Sequence, residues 1–470
     1  MKNGFFTKGR IIAIVLVVLI LAGAGIFFYA KGHKTQFAAG GLNLFQKVSK
    51  LLPISQDTKK EIAVIDNLVS ELTAKNDRTW TFLVMLQNNY ELRPGGGFLG
   101  QYAIIKVKNG EVVSSFVEDA NLLDQRINAK IAPPYPLTRK MQLKKWKFRD
   151  SNFSPDFPTN AAKAEYFYKL SGGREQFDAV VAVNADVFDH VLALTGPITP
   201  AGYSTTFTSE GGALKLEEAV EKAYLGENVS AEAKQNRKAI MKKLAAEIIP
   251  RIATVSNAPK VAELTLNELR EKNVMMHFKD EKLQSMIESV HWDGSVVTEN
   301  WDGDYLMLVD ANLGALKTDY YIKRSIDYTV DFTGEKPIAT VVQTYKNTAP
   351  YGDWRTSDYH TYLRAFVPKG SKYLERFMIN AVLTNEEFNK TYFGGFVDVE
   401  IGQSDVHTTL KYELPDTIKA ENYKLLIQKQ SGVGTIPVNV HIKTKTGDFN
   451  QEFELKKDLN LSFQTVDEKK

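Results

Sequence analysis

The stretch Trp80–Val117, WTFLVMLQNNYELRPGGGFLGQYAIIKVKNGEVVSSFV, decides how the chain is read. It holds three apolar runs of strand length, Trp80 to Leu86, Phe98 to Val107 and Val112 to Val117, the last two joined by Lys108-Asn109-Gly110-Glu111. Asn-Gly between β-rich runs predicts a hairpin, because the tight turn that matches strand twist needs positive φ at both central residues. Gly95-Gly96-Gly97-Phe98-Leu99-Gly100 matches G-x-G-x-x-G letter by letter. A dinucleotide site, however, needs a helix amino terminus after those glycines, and Tyr102 to Val107 alternates like a strand. Gln101 stands where a Walker A loop would place its lysine. Two readings stay open: a glycine-rich turn needing positive φ or a close backbone approach, or a backbone-lined anion cradle beside Arg93.

Downstream, a loop with Pro133, Pro134 and Pro136 leads to a helix expected at about 158–170. A buried strand from Phe177 to Val183 follows, then a helix at about 185–194 closed by Gly196-Pro197. Strands alternating with helices predict an α/β layer. Residues 214–291 read as long and helical, and Tyr305–Val309 returns as a strand. From Tyr320 the period changes to two, with short runs separated by Gly, Pro and Asn, which predicts an all-β sandwich of immunoglobulin-like type. Upstream, 36–51 and 57–75 read as helices separated by Pro53, with Ile62, Val64, Ile65, Leu68 and Leu72 on one apolar face, either a stalk or packing helices. The expected organisation is a cytoplasmic tail (1–10), a membrane anchor (11–30), a helical stalk (31–79), an α/β domain (80–317), a β-sandwich (318–463) and a polar tail (464–470).

The 470 residues exceed what one core usually holds, so two or three domains are expected. With 43% hydrophobic and 24% charged residues the chain is a packed globular protein rather than a disordered one. Lys and Arg number 59 against 56 Asp and Glu, a balance too near neutral for a dedicated nucleic-acid binder. The absence of cysteine excludes disulfides, thiol nucleophiles and Cys-ligated metals, and suits an exported protein. Ile11–Ala30 carries no charge over twenty residues, about what crossing a hydrocarbon core requires. Lys2, Lys8 and Arg10 before it favour a cytoplasmic amino terminus, with the bulk of the chain outside a single-pass membrane protein. A cleaved signal peptide is the competing reading, since Ala22-Gly23-Ala24 fits a cleavage site, but Ile26-Phe27-Phe28-Tyr29 continues the apolar run past it.

Seven basic residues, Lys130, Arg139, Lys140, Lys144, Lys145, Lys147 and Arg149, lie between 130 and 149 with no acid among them. They form either a solvated loop or a positive field that captures a phosphorylated ligand or faces an anionic membrane. Next comes Phe148-Arg149-Asp150-Ser151-Asn152, followed by Asp156. Arg149 offers a two-pronged phosphate donor, and Asp150 and Asp156 offer oxygens to a hard cation such as Mg2+. The plainer reading pairs Asp150 with Arg149 and makes Asp156 a helix cap. Hydrolase signatures are absent, and the seven histidines show no close metal spacing.

Leu86–Gly100, Arg149-Asp150-Ser151-Asn152, Ser154–Pro158, Asp178–Val183, Thr195-Gly196-Pro197 and Asp310–Leu313 resemble, in order, a bacterial surface family of unknown function, domain of unknown function 4012. The resemblance runs over roughly residues 80 to 440. The order of elements is also similar to the LytR-CpsA-Psr transferases, membrane-anchored enzymes that move glycopolymers from polyprenyl pyrophosphate to peptidoglycan. Phe148-Arg149-Asp150 matches that family's Pro-Arg-Asp loop, Ala161-Ala162 and Gly172-Gly173 match its helix, and Gly100-Gln101-Tyr102 falls where it has Arg-Ser-Asp. That likeness implies an extracellular α/β sandwich in which Asp150 and Arg149 are catalytic. It also implies that Arg93, Arg149, Lys140, Gln101 and Asn152 hold pyrophosphate, while Asp150 and Asp156 hold Mg2+. Gln101 departs from the acidic residue expected there. The partners implied are the lipid bilayer and an anionic lipid-linked polymer or cell-wall glycan. The alternative is a non-catalytic cell-surface binding, adhesion or structural protein, which solvent-exposed aromatics on the sandwich would favour. If Ile11–Ala30 anchors the chain, protease added to intact protoplasts removes the carboxy-terminal domain; full protection would place that domain inside.

Overall fold

The computed structural model describes residues 55–225, 239–252, 258–298 and 301–463. The expected span over 11–30, the expected helix over 36–51 and the polar tail from 464 lie outside them. Among the described residues no helix is long and apolar enough to cross a membrane. The chain is mixed α/β with three mixed sheets, and its carboxy-terminal half is mostly β. The helices are α1 Gln56–Thr73, α2 Ala120–Gln125, α3 Tyr135–Met141, α4 Phe157–Leu170, α5 Val187–Thr195, α6 Gly212–Leu225, α7 Ala239–Ile252, α8 Ala258–Arg270 and α9 Glu281–Glu288. The first strands are β1 Thr79–Asn88, β2 Phe98–Lys108, β3 Glu111–Asp119, β4 Ala179–Asn184, β5 Val274–Phe278 and β6 Asp304–Val309. Then follow β7 Ile322–Asp331, β8 Ile338–Asn347, β9 Tyr359–Pro368, β10 Lys372–Phe377, β11 Asn380–Glu387 and β12 Lys390–Val399. The last are β13 Val406–Glu413, β14 Tyr423–Ile427, β15 Ile436–Lys443, β16 Asp448–Leu455 and β17 Leu459–Phe463. Two compact units interleave along the chain: the first holds 55–87, 99–128 and 165–294, the second 88–98, 129–164 and 295–463.

The first unit is built on one sheet in the order β3-β2-β1-β4-β5. β1 and β4 run parallel, and β2–β3 is the expected hairpin, with Asn109 and Gly110 at φ 52 and 77. Alternate residues Trp80, Phe82 and Val84, Ala103 and Ile105, and Ala179, Val181 and Val183 point to one face and enter one core. Helices cover that face: α1 contributes Val64, Val69 and Leu72, α5 Val187 and Val191, α8 Val261 and Leu269. Arg270 of α8 donates to Glu61 of α1 at 2.8 Å, so α1 is one of the unit's packing helices, the second of the two readings the sequence left open. The stretch expected to be helical throughout 214–291 contains β5, whose VMMHF pairs with β4 from Val183↔Val274 to Ala179↔Phe278. Five apolar residues next to long amphipathic helices give periodicity too little length to separate strand from helix.

The second unit has two six-stranded sheets, β10-β13-β8-β7-β15-β16 and β11-β12-β9-β6-β14-β17. Ile326, Tyr328 and Val330 from the first meet Leu363, Ala365 and Val367 from the second in a single core. β6, expected to close the α/β layer, lies between β9 and β14. A fragment beginning after Lys317 therefore lacks a central strand of this unit.

Asp304 at the start of β6 is fully buried, and accepts hydrogen bonds from the Tyr328 and Tyr423 hydroxyls and the Tyr305 N–H. Burial raises its carboxyl to about 6, against the pull of those three donors. The folded state then binds this proton more tightly than the unfolded chain, so the contribution to stability present at low pH is lost as pH rises from about 4 to 6. For a carboxyl moved from 3.8 to about 6 this is about 3 kcal/mol at order of magnitude. Asp304→Asn should flatten that part of the profile. Urea midpoints across this range, compared between parent and variant, read it, and parallel profiles would show that Asp304 does not titrate there.

Candidate functional site

The glycine-rich loop lies in the second unit and is a built turn. Gly96 has φ 122, and a side chain at Gly97 would come within 2.4 Å of the Asn88 backbone. The N–H of Gly95 donates to Asn152 O at 3.0 Å, that of Gly96 to Arg93 O at 2.9 Å and that of Phe98 to Glu91 O at 2.9 Å. Those donors serve the turn, which leaves them committed and favours the turn over the anion cradle. Arg93 is 0% exposed. Its guanidinium donates to Glu91 at 2.9 Å and to Asn312 O at 2.8 Å, and its Nε stands 3.5 Å from Asp150 Oδ1. Burial pushes the Glu91 carboxyl up, and Arg93 pulls it back.

Among the expected site residues, Arg93, Asp150 and Asn152 therefore do meet, but inside the fold. Asn152 donates to Gly97 O. Asp156 caps α4, accepting from Thr159 N at 3.0 Å and Thr159 Oγ1 at 2.6 Å, while its other oxygen accepts from Val296 N at 3.0 Å. Both of its oxygens are engaged, so the plainer reading of Asp156 as a cap accounts for it. Lys140 is exposed and bonds Asp398 at 3.2 Å, and Lys130, Arg139, Lys144 and Lys145 are exposed as in a solvated loop. Arg149 is half-buried beside them in sequence, and Gln101 lies in the first unit, on β2 opposite Asp119. Among the described residues no three His, Asp or Glu side chains gather where a cation could sit, and Asp150 faces a guanidinium.

A different place in the same unit has the shape of a site. On β9, Leu363, Ala365 and Val367 enter the core, so Tyr362 and Arg364 point to the opposite face. Register places Arg364 beside Gly394 of β12 and Gly394 beside Leu383 of β11. A side chain at Gly394 would meet the Tyr362 hydroxyl within 2.4 Å, so glycine lets that ring lie across the strand. Over this face the 129–164 segment and three strands enclose a cavity of about 280 Å3. Tyr135, Trp146, Tyr362 and Tyr392 supply aromatic walls, and Lys163, Arg364 and Glu387 supply charge. Arg364 is 6% exposed; its Nη2 donates to Phe153 O at 3.1 Å, and its Nη1 stands 3.6 Å from Glu387. Phe153, Phe366 and Tyr392 surround its guanidinium carbon at 5.5 to 5.9 Å from their ring centres. Burial lowers the proton affinity of Arg364, and burial also pushes the Glu387 carboxyl up, with Arg364 pulling the other way. Lys163 Nζ lies 4.6 Å over the Trp146 ring, and the Trp146 indole donates to Asp150 O at 2.7 Å. None of Tyr362, Arg364, Glu387 and Tyr392 was singled out from sequence; the available signal was an arginine inside the otherwise apolar run Tyr362–Val367.

Removing one partner of a buried ion pair typically costs about 3–5 kcal/mol. Arg93→Met should therefore lower the denaturation midpoint steeply, whereas exposed Lys140→Ala should stay within about 0.5 kcal/mol. Equal, small effects would mean that Arg93 does not hold the loop.

No curated protein matches the chain. The fold has likenesses among solved structures: the Lin1025 protein from Listeria innocua has 12% identity and a TM-score of 0.26, over 46% of this chain and 80% of that one. Protein gbs0355 from Streptococcus agalactiae has 9% identity and a TM-score of 0.25, over 46% of this chain and 74% of that one. Residues 77–209, which include the Leu86–Gly100 turn and the Arg149–Pro158 loop, match the family described as "Protein of unknown function (DUF4012)".

Proposed function

We propose that this is an envelope-anchored binding protein whose second unit takes a saccharide. One observation carries the reading: the cavity of about 280 Å3 that sets five aromatic side chains, Phe153 among them, beside Lys163, Arg364 and Glu387. Aromatic faces suit the apolar C–H faces of sugar rings, and polar side chains among them suit hydroxyl groups. With this goes the reading of Ile11–Ala30 as an uncleaved single span that leaves both units outside the cell, near cell-wall glycans. The second unit is then the immunoglobulin-like sandwich of the sequence reading, and the first its LytR-CpsA-Psr-like α/β domain. Transfer of a lipid-linked polymer, which that likeness implies, draws no support from Arg93 and Asp150. Both are buried, and Arg93 is bonded to Glu91 and to a backbone carbonyl.

The test is binding of purified cell-wall polysaccharide fragments to the full chain in detergent, measured by calorimetry. An aromatic contact is worth roughly 0.5–1.5 kcal/mol, so Tyr392→Ala and Tyr135→Ala should each weaken binding about 2- to 10-fold with unchanged circular dichroism. Binding unaffected by both changes would place the saccharide elsewhere, and no binding would sink the reading.

A further inference from the structure

Two side chains in this cavity are buried beyond what their partners explain. Arg364 Nε is enclosed and makes no hydrogen bond among the described residues, and neither does Ser151 Oγ. Ser151 is 2% exposed and Arg364 6%, and both line the cavity. A buried N–H or O–H left unbonded is disfavoured, so native proteins seldom keep two in one place without a purpose. Glu387 does not satisfy the guanidinium: at 3.6 Å from Nη1 it lies well beyond the roughly 2.7–2.9 Å of a charge-assisted hydrogen bond. An unbonded guanidinium N–H is a charge-assisted donor, which suits an anionic acceptor.

We infer that the cavity takes an acidic saccharide, with the carboxylate or phosphate on the sugar accepting hydrogen bonds from Arg364 Nε and Ser151 Oγ. This rests on the saccharide reading and narrows it to a ligand class. A guanidinium suits such a group because it presents N–H donors in a fixed plane, whereas a lysine offers a single point charge. The aromatic walls would hold the sugar and the two donors its charge.

The experiment titrates the full chain in detergent with trigalacturonate, mannose 6-phosphate, the neutral trisaccharide galactotriose and inorganic phosphate. The expected result is that one acidic sugar binds at least 10-fold more tightly than galactotriose. Ser151→Ala should remove most of that preference and leave galactotriose binding unchanged, and Arg364→Lys should weaken the acidic sugar at least 10-fold more than it weakens galactotriose. Preference for trigalacturonate assigns a carboxylate, and preference for mannose 6-phosphate assigns a phosphate. Equal affinity for acidic and neutral sugars overturns the acidic site and spares the saccharide reading. Phosphate binding as tightly as mannose 6-phosphate, with the same dependence on Arg364, supports the anion site and overturns the saccharide reading. Binding of none of the four overturns both. Should Arg364→Lys fail to fold, Ser151→Ala decides, because it deletes one hydroxyl oxygen from a loop and moves no charge.

Discussion

The second unit depends on the enclosure of one positive charge. Arg93 is sealed from water, and a guanidinium in that position needs an opposite charge and hydrogen-bond acceptors close by. Glu91 comes from the same turn, Asp150 from a segment far along the chain and the Asn312 carbonyl from farther still. Gln430, more distant again, donates to the Arg93 carbonyl at 3.2 Å. Three separate stretches therefore converge on this charge and a fourth on its backbone carbonyl, which makes the turn a point where the chain is gathered.

The convergence continues through polar contacts. Asn312 takes the Leu92 carbonyl on its N–H at 3.0 Å and passes its side-chain amide to Asp319 at 2.8 Å. Asp319 meets Arg324 at 2.8 Å, and Arg324 meets Asp310 at 2.8 Å. Asp310 in turn accepts from the Tyr345 and Thr361 hydroxyls at 2.8 and 2.9 Å. In such a chain each buried charge is partnered, and a change at one member leaves its neighbour exposed to the low dielectric alone. Leu86–Gly100 and Arg149–Asn152, which lie within the stretch that matches the family, supply members of this network or their immediate supports. Their role in this structure is to assemble the unit.

Much of the fold was legible because it rests on local rules. The Asn109-Gly110 hairpin follows from the backbone conformation those residues favour, and α4 and the strands from β7 onward follow from hydrophobic period. What escaped has a common cause in long-range pairing. β5 is too short to have a period, and it is a strand because β4 offers an edge. β6 reads as a strand from sequence, but its neighbours β9 and β14 are set by partners far along the chain. For the site, chemistry-bearing residue types drew attention to Arg93, Arg149, Asp150 and Asp156. Sequence gives a side chain's capacity, whereas its availability depends on what else is buried with it. Arg93 and Asp156 proved to be engaged by protein partners.

Arg364 presents the opposite case. It sits in a strand whose alternate residues build the core, so its chemistry is hidden among apolar neighbours in the sequence. Because its flanking residues anchor β9 on both sides, the guanidinium is held by regular structure and loses little freedom when a ligand arrives. The same sheet thus does two things by strand alternation: one face closes the core, and the other holds a charge among aromatic rings. Arg93 and Arg364 are both buried arginines of one unit, and each keeps its Nε unbonded among the described residues; they are separated by their acids, since Glu91 accepts from Arg93 at 2.9 Å while Glu387 stands 3.6 Å from Arg364. A buried charge with an acid at hydrogen-bonding distance belongs to the fold, and one whose acid stands off is the place to look for a ligand.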